Sequence, residues 1–410
     1  MTRLLFKNGL IFDGRGPDLL ADHAVVVEAG VIAQITPDKP DGAFDRVVDL
    51  NGATLIPGLI DAHFHAYAVE TDFVKLEAMP RTYLGHRGGH LLNQSLKRGF
   101  TTVRDVGGAD HGLWRAIEEG YVAGPRLFYC GRAFSQTGGH GDGRTVGAEE
   151  AFCGCSGRGV LADVVDGVDA LRRAAREALR HGAHHLKLFL SGGISSPSDP
   201  IWMSQFADDE IAVVVEEALR RRAYVVAHAY TPETITRAVN LGVRSIEHAN
   251  LIDAAAARRV AEHKAFVVPT LVTYDALWRG GQAAGAPGFL LDKLGQVRTH
   301  GLEAIEICRA AGVRLGFGTD LLGDLHAHQL DEFQLRSEVE TPLQILTSAT
   351  SINAEILLMS GKLGCIAPGA FADFVVVDGN PLEDISLLYR APSAIRSVWK
   401  SGVCVRRDDA

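Results

Sequence analysis

Short apolar segments alternate with amphipathic segments from about residue 57 to residue 360. The apolar segments end at polar or glycine-rich positions, which is typical of buried parallel strands. The segments between them place leucine and alanine at helical spacing. We predict strands at 101–105, 185–190, 224–227, 243–247, 265–270 and 313–318, and helices at 91–98, 169–181, 208–222, 231–241, 254–263 and 302–311. About eight such units predict an α/β fold, a parallel (β/α)8 barrel of the TIM type.

Both ends of the chain have a different sequence pattern, in which short alternating or apolar runs are separated by Asn-Gly, Gly-Pro and Asn-Pro turns. Such runs predict strands rather than helices. Because chain termini often lie close together, the two strand-rich ends predict one small β module built from both. Its strands are predicted at 4–6, 9–12, 24–27, 31–35, 372–377, 394–399 and 402–405.

Composition narrows the class of protein. The net charge of -9 argues against a nucleic-acid partner, and no apolar run approaches the ~18 residues of a membrane span. Lys7 and Asp13 interrupt the apolar start, so no signal peptide is predicted. Six cysteines without a regular framework indicate reduced thiols. We therefore expect a cytoplasmic protein that does not bind membranes.

The first candidate functional residues lie where the first barrel strand ends. His63 and His65 are two positions apart, so on a strand both imidazoles face the same way and suit a borderline metal such as zinc. Most His-x-His pairs are incidental, and this pair gains weight only from later residues. His228, His248 and Asp320 each end a predicted strand, where the functional residues of such barrels lie.

Each of these residues also has an ordinary interpretation. His228 and His248 could be satisfied core histidines, and Asp320 could cap a turn after a glycine-rich strand. Lys187, inside an apolar strand, could extend its amine to solvent. Alternatively, burial lowers the pKa of Lys187 and its amine combines with carbon dioxide. The resulting carbamate could bridge two cations, while Asp320 ligates a metal and accepts a proton from the attacking water.

The type and order of these positions resemble the amidohydrolase superfamily, on residues 61–65, Lys187, His228, His248, Asp320 and the tail 364–373. The resemblance spans nearly the whole chain and implies a small β-sandwich domain of residues 1–56 plus 361–410 around a barrel of residues 57–360. It also implies two divalent ions, usually zinc, bridged by hydroxide and by the carbamate on Lys187. On that pattern His63, His65 and Asp320 hold the more buried ion, and His228 and His248 hold the exposed one.

Segments 136–142, 191–193 and 228–230 are similar to the prolidase-like group of that superfamily. This likeness implies hydrolysis of dipeptides or N-acyl amino acids at the amide next to a free carboxylate, including amino-acid conjugates of aromatic toxins. His140 would then polarise the scissile carbonyl, and Tyr230 would contact the substrate. Arg144 could pair with the substrate carboxylate, although a surface arginine is the ordinary interpretation.

Two other functions stay open at this point. A cyclic amide hydrolase of imidazolonepropionase or hydantoinase type would keep the metals and change the substrate. A barrel that has lost catalysis would be a scaffold protein, but all six ligand positions are filled. We expect a small-molecule substrate and a homo-oligomer, and we expect residues 274–289 to form a loop that shapes the pocket.

Overall fold

The computed structural model describes residues 2–37, 40–144, 159–196, 198–284, 288–390 and 392–407. The strands before the barrel are β1 Arg3–Lys7, β2 Leu10–Ile11, β3 Ala24–Glu28, β4 Val31–Thr36, β5 Arg46–Asp49 and β6 Thr54–Pro57. The next group is β7 Leu59–Phe64, β8 Phe100–Asp105, β9 Arg126–Tyr129, β10 Ala133–Ser135, β11 Ala162–Val164, β12 His185–Phe189, β13 Tyr224–Ala229, β14 Ser245–His248, β15 Phe266–Val268 and β16 Arg314–Leu315. The last are β17 Phe374–Val377, β18 Ile395–Lys400 and β19 Val403–Arg407.

Helices follow most of the middle strands. They are α1 Phe73–Glu77, α2 Arg81–Lys97, α3 His111–Glu118, α4 Val168–Arg180, α5 Asp208–Arg220, α6 Pro232–Asn240, α7 Ala254–Glu262, α8 Leu271–Ala284, α9 Gly288–Arg298, α10 Gly301–Ala310, α11 Asp331–Arg336, α12 Pro342–Thr347 and α13 Asn353–Ile356. Short 3-10 turns lie at Gly323–His328, Ile385–Leu388 and Pro392–Ala394, and a π-helical turn lies at Ser348–Ile352.

The middle strands form a parallel barrel, as the alternating pattern predicts. Three strands pair in the order β7-β8-β9, and seven in the order β11-β10-β12-β13-β14-β15-β16. Backbone hydrogen bonds join these sheets on both sides: the N–H of His184 donates to Tyr129 O (2.9 Å), and the N–H groups of Ala62 and Asp320 donate to Phe317 O and His63 O (both 2.8 Å). The barrel thus closes between β7 and the segment after β16, which brings His63 and Asp320 to the same rim.

The terminal strands form two further sheets, in the orders β4-β3-β1-β5 and β19-β18-β17-β6-β2. In β17 Phe374 packs in one core with Phe6 and Val25 of the four-stranded sheet, whereas Val375 packs in another core with Leu59 and Phe317 of the barrel. The five-stranded sheet therefore lies between the four-stranded sheet and the barrel. Because both faces of β17 are buried, its sequence is a continuous apolar run rather than an alternation.

Residues 274–289, expected as a loop, are largely helical, so that expectation was wrong. Helix α8 covers Leu271–Ala284, and α9 begins at Gly288. The glycines of this segment favour a loop, but in α8 tertiary packing overrides this propensity. Tyr274 is buried in a cluster with Tyr230, Leu294 and Val297.

Glu332 of α11 is fully buried and connects this helix to α8. It accepts a hydrogen bond from the N–H of Val272 (2.7 Å), while its Oε1 has no partner among the described residues. Burial raises the pKa of Glu332 to about 8. The folded chain therefore keeps this carboxyl protonated at pH values where the unfolded chain has lost the proton.

We expect this proton to make stability depend on pH. A raised folded-state pKa gives a contribution that is complete below about pH 4.5 and is lost as the pH rises to about 8. The loss is at most about 1.4 kcal/mol per pH unit. Glu332→Gln keeps an acceptor for Val272 and removes the titration. Thermal unfolding should be measured at pH 5.5, 7 and 8.5. The unfolding midpoint of the variant should rise relative to that of the native chain with each increase in pH. A constant difference across these pH values would contradict this.

Two further sequence expectations concern the chain as a whole. Among the helices of the described ranges, none has the length and apolarity needed to cross a bilayer. The four cysteines in those ranges, Cys130, Cys308, Cys365 and Cys404, form no disulfide.

Candidate active site

His63, His65 and Asp320 converge at the rim of the barrel. The Nε2 atoms of His63 and His65 lie 3.4 Å and 3.2 Å from Oδ1 of Asp320. One ligand atom from each of the three residues falls within 4.8 Å of the others. Gly318 permits this approach, because a Cβ there would lie 2.6 Å from Cβ of His63. The three residues are suited to hold one divalent cation.

Four imidazoles are held in place through the nitrogen that faces away from the cluster. Nδ1 of His63 contacts Glu247, and that of His65 donates to Gly107 O. Nδ1 of His248 contacts Thr270, and Nε2 of His228 donates to Gly192 O. These distances are 2.8, 2.9, 2.8 and 3.2 Å in that order. Such contacts fix the orientation of a metal-binding imidazole and leave its other nitrogen available.

The ring of His248 joins the two halves of the cluster. Its centroid lies 4.8 Å from that of His63 and 4.6 Å from that of His228. His248 and Asp320 both have left-handed backbones, with φ of 76° and 52°. Non-glycine residues in this region are costly and cluster at functional sites, where the surrounding structure holds them.

Lys187 lies on β12 and faces the same cavity, with only 1% of its surface exposed. No hydrogen bond or ion pair to Nζ is formed within the described part of the chain. Burial lowers the pKa of Lys187 to about 8, even though Glu247 and Asp320 favour its charged form. A substantial fraction of this amine is therefore neutral near physiological pH, unlike an ordinary lysine.

Glu247 is a functional residue that the sequence reasoning missed. Its carboxylate accepts hydrogen bonds from Arg104 (2.8 Å) and from Nδ1 of His63 (2.8 Å), and all three side chains are buried. Burial alone would raise the pKa of Glu247, but Arg104 and His63 hold it below its ordinary value. The available signal was a carboxylate inside an apolar strand, which is as costly unpaired as the lysine at 187.

The structure also brings His140 and Tyr230 to this cluster. The His140 ring stacks on that of His228, with centroids 4.7 Å apart, and the Tyr230 ring meets His228 edge-on at 4.7 Å. The Tyr230 hydroxyl is hydrogen-bonded to Tyr274 (3.0 Å). Arg144 lies farther out, where its Nε and Nη2 donate to Asp142 at 2.7 and 2.5 Å. The forked donors expected for a substrate carboxylate are thus engaged by Asp142.

A cavity of about 760 Å³ is lined by the following of these residues: His63, His65, His140, Asp142, Arg144, Lys187, His228, Tyr230, His248 and Asp320. Its walls are largely apolar, with side chains from α1, β12, the following segment, α8, α9 and the residues after Asp320: Phe73, Phe189, Ile194, Leu277, Phe289, Leu290, Leu322 and Leu325. Of the described residues that line it, only Arg144 and Lys187 carry lysine or arginine side chains. The volume is ample for a small-molecule substrate with one apolar substituent.

Comparison with known proteins agrees with this geometry. The model of the amidohydrolase family matches residues 54–405. Ochratoxinase of Aspergillus niger is 31% identical, over 96% of this chain and 85% of its own length. A crystal structure of a prolidase complexed with N-methylphosphonate-L-proline is 46% identical with a TM-score of 0.95, over 99% of this chain and 100% of that one. A Xaa-Pro dipeptidase structure with bound methionine is 28% identical with a TM-score of 0.87, over 98% and 99%.

The family match covers most of the chain, and the similarity to the prolidase and to ochratoxinase extends over nearly all of it. Members of this family depend on metal ions, which agrees with the convergence of His63, His65 and Asp320. The chain belongs to the amidohydrolase family, in its prolidase-like group, and is a hydrolase of carbon–nitrogen bonds.

Proposed function

We propose that the chain is a binuclear metal-dependent amidohydrolase that cleaves the amide bond next to a free carboxylate, in dipeptides or N-acyl amino acids. The observation that carries this proposal is the convergence of Lys187 and Asp320 with four imidazoles in one cavity. Because every imidazole is fixed through its outer nitrogen, the inner nitrogens are already directed for ligation.

The side chains present fit two cations. His63, His65 and Asp320 would hold the first, and His228 and His248 the second. Lys187 is buried and without a counter-ion in the described ranges, and burial lowers its pKa to about 8, which favours the neutral amine that a carbamate requires. A carbamate there would supply the bridging anion, and zinc suits this set of nitrogen and oxygen donors. Bound divalent cations would lower the pKa of a water molecule and polarise the scissile carbonyl.

The remaining steps are carried by residues of the chain. Asp320 accepts the proton that the attacking water releases and passes it to the leaving nitrogen. His140 hydrogen-bonds the carbonyl oxygen as negative charge develops on it. Tyr230, held by Tyr274, contacts the tetrahedral centre or the substrate carboxylate. The apolar walls surround the side chain of the acyl residue.

Recognition of the substrate carboxylate falls to Arg144 in this proposal. Asp142 engages Nε and Nη2 of Arg144, and Nη1 is not part of that contact. The prolidase relative was crystallised with N-methylphosphonate-L-proline, and the other relative is named ochratoxinase. The proline of that ligand supports an amino acid with a free carboxylate on one side of the scissile bond, and the apolar walls of the cavity support an apolar group on the other.

A substrate panel tests this function. We expect the zinc-loaded enzyme to hydrolyse Xaa-Pro dipeptides and N-aroyl amino acids, and to lose about 10²-fold in kcat/KM when the substrate carboxylate is converted to a carboxamide. The matched carboxamide keeps the scissile bond and the apolar group, so it isolates the carboxylate. Faster hydrolysis of an imidazolone or a hydantoin than of any linear amide would favour the cyclic amide function instead.

We also propose that the terminal sheets form a small β-sandwich domain, with residues 1–56 plus 361–410 outside a barrel of residues 57–360. The shared core of the two sheets supports this, because Leu4 and Phe6 of β1 pack with Phe374 of β17 and Trp399 of β18.

A further inference from the structure

A buried carboxylate lies behind His140, outside the set of groups that face the cavity. Asp199 is fully buried in the segment that follows β12. One of its oxygens lies 3.4 Å from Nδ1 of His140, and the other accepts a hydrogen bond from the hydroxyl of Ser196. That hydroxyl in turn lies 3.0 Å from Nδ1 of His140. Asp199 therefore reaches the imidazole both directly and through Ser196.

The number of protons in this chain of contacts fixes the direction of each hydrogen bond. An ionised carboxylate only accepts, so the single hydroxyl proton of Ser196 goes to Asp199. The Ser196 oxygen must then accept from His140, which places a proton on Nδ1 of the imidazole. Nε2 is left as the ring nitrogen that faces the cavity. It is a hydrogen-bond donor there when the ring carries both protons.

The segment that carries Asp199 and Ser196 is held by a lysine from another part of the chain. Nζ of Lys293, on α9, donates to the carbonyl oxygens of Gly193, Ser196 and Asp199 at 2.8, 2.7 and 2.6 Å. The N–H of Gly193 donates to Asp199 (2.9 Å). These contacts hold the segment and its carboxylate in place.

Gly193 also sets how closely this segment approaches the imidazole. A Cβ at Gly193 would lie between 2.1 and 2.4 Å from three atoms of the His140 ring. The ring is therefore enclosed between Gly193 and the ring of His228. Only rotation within this slot is left to His140, and the contacts at Nδ1 remove it.

We propose that Asp199 is a positioning residue for His140: acting directly and through Ser196, it fixes Nδ1 as the outer, protonated nitrogen and leaves Nε2 facing the cavity. This inference deepens the proposed function and rests on it for the role of His140. A purely structural role for Asp199, as the acceptor that folds residues 192–200, would not depend on the imidazole. The two roles can therefore be separated by experiment.

A double-mutant cycle separates the positioning role of Asp199 from a purely structural role by measuring activity. Asp199→Asn should lower kcat by about 10- to 100-fold with KM changed less than about threefold, as expected when an orienting partner is lost. Ser196→Ala should give a smaller fall in the same parameter. In a His140→Ala background neither substitution should lower kcat/KM further by more than about threefold. Additive losses in that background would overturn the positioning role.

Nuclear magnetic resonance of the zinc-loaded protein, labelled with 15N at histidine, gives a readout that needs no substrate. The resonance that disappears in His140→Ala should report a protonated Nδ1 with a slowly exchanging proton. The thermal unfolding midpoint of Asp199→Ala will show that this variant is folded. In it, that proton should exchange rapidly. An unprotonated Nδ1 in the native chain would overturn the inference. If no amide were hydrolysed but Nδ1 behaved as described, the proposed function would fail while the fixed orientation of His140 would be supported.

Discussion

Lys187→Met is expected to lower kcat/KM by at least about 10³-fold and to reduce bound metal below two ions per chain. Methionine matches the lysine stem in length but has no amine from which a carbamate could form. The same substitution should leave stability unchanged or raise it, because it removes a buried amine that has no counter-ion within the described residues. Loss of function together with retained stability is the signature of a residue kept for chemistry.

Three measurements on Lys187→Met check this expectation: turnover on the best substrate of the panel, metal content by mass spectrometry, and the thermal unfolding midpoint. Lys97→Met, at an exposed position of α2, is the matched control and should leave all three unchanged. Short carboxylates added to Lys187→Met should restore part of the activity, since they can supply the missing bridging anion. A variant with native activity and two bound ions would exclude the bridging role of Lys187.

The barrel interior explains why no carboxylate among the described residues forms an ion pair with Lys187. Glu247, a buried carboxylate whose field reaches Lys187, is already paired with Arg104 and hydrogen-bonded to His63. A buried carboxylate stays charged when such partners satisfy it, whereas a buried amine without them tends toward the neutral form. The ion pair between Arg104 and Glu247 thus anchors His63, and the carboxylate of Glu247 is engaged by groups other than the amine of Lys187.

The strand ends were predictable from the sequence because they depend on local pattern. Each apolar run that precedes Lys187, His228, His248 or Asp320 marks a strand, and a parallel barrel collects the ends of its strands at one rim. The predicted strand at 185–190, for example, is confirmed as β12, and Lys187 pairs in register with Val226 of β13. The resemblance of the chain to the amidohydrolase family is likewise confirmed.

Other parts of the site depend on tertiary structure that no local pattern encodes. Strict alternation predicts that Glu247 and His248 face opposite ways, yet both contact His63, because His248 adopts a left-handed backbone. Asp199 follows a run of serines and prolines that resembles an ordinary loop, and its contact with His140 spans about sixty residues. Lys293 lies on α9, a helix that the sequence pattern did not predict.

Asp320→Asn is the second substitution with a large expected effect, a fall of about 10³- to 10⁴-fold in kcat. Asparagine keeps the shape and one oxygen ligand but cannot accept the proton of the attacking water or transfer it to the leaving nitrogen. KM should change little, because the substrate carboxylate and apolar group are bound elsewhere. The loss of charge should also weaken the cation held with His63 and His65.

The left-handed backbone of Asp320 gives this experiment a built-in control for structure. Asparagine tolerates a φ of 52° as well as aspartate does, so Asp320→Asn should fold without added backbone strain. Asp324→Asn, four residues later and fully exposed, removes one carboxylate from the same segment without touching the cluster, and should retain native kcat. Steady-state kinetics at saturating metal compare the two. If Asp320→Asn kept more than about a tenth of native kcat, a different group would have to carry the proton.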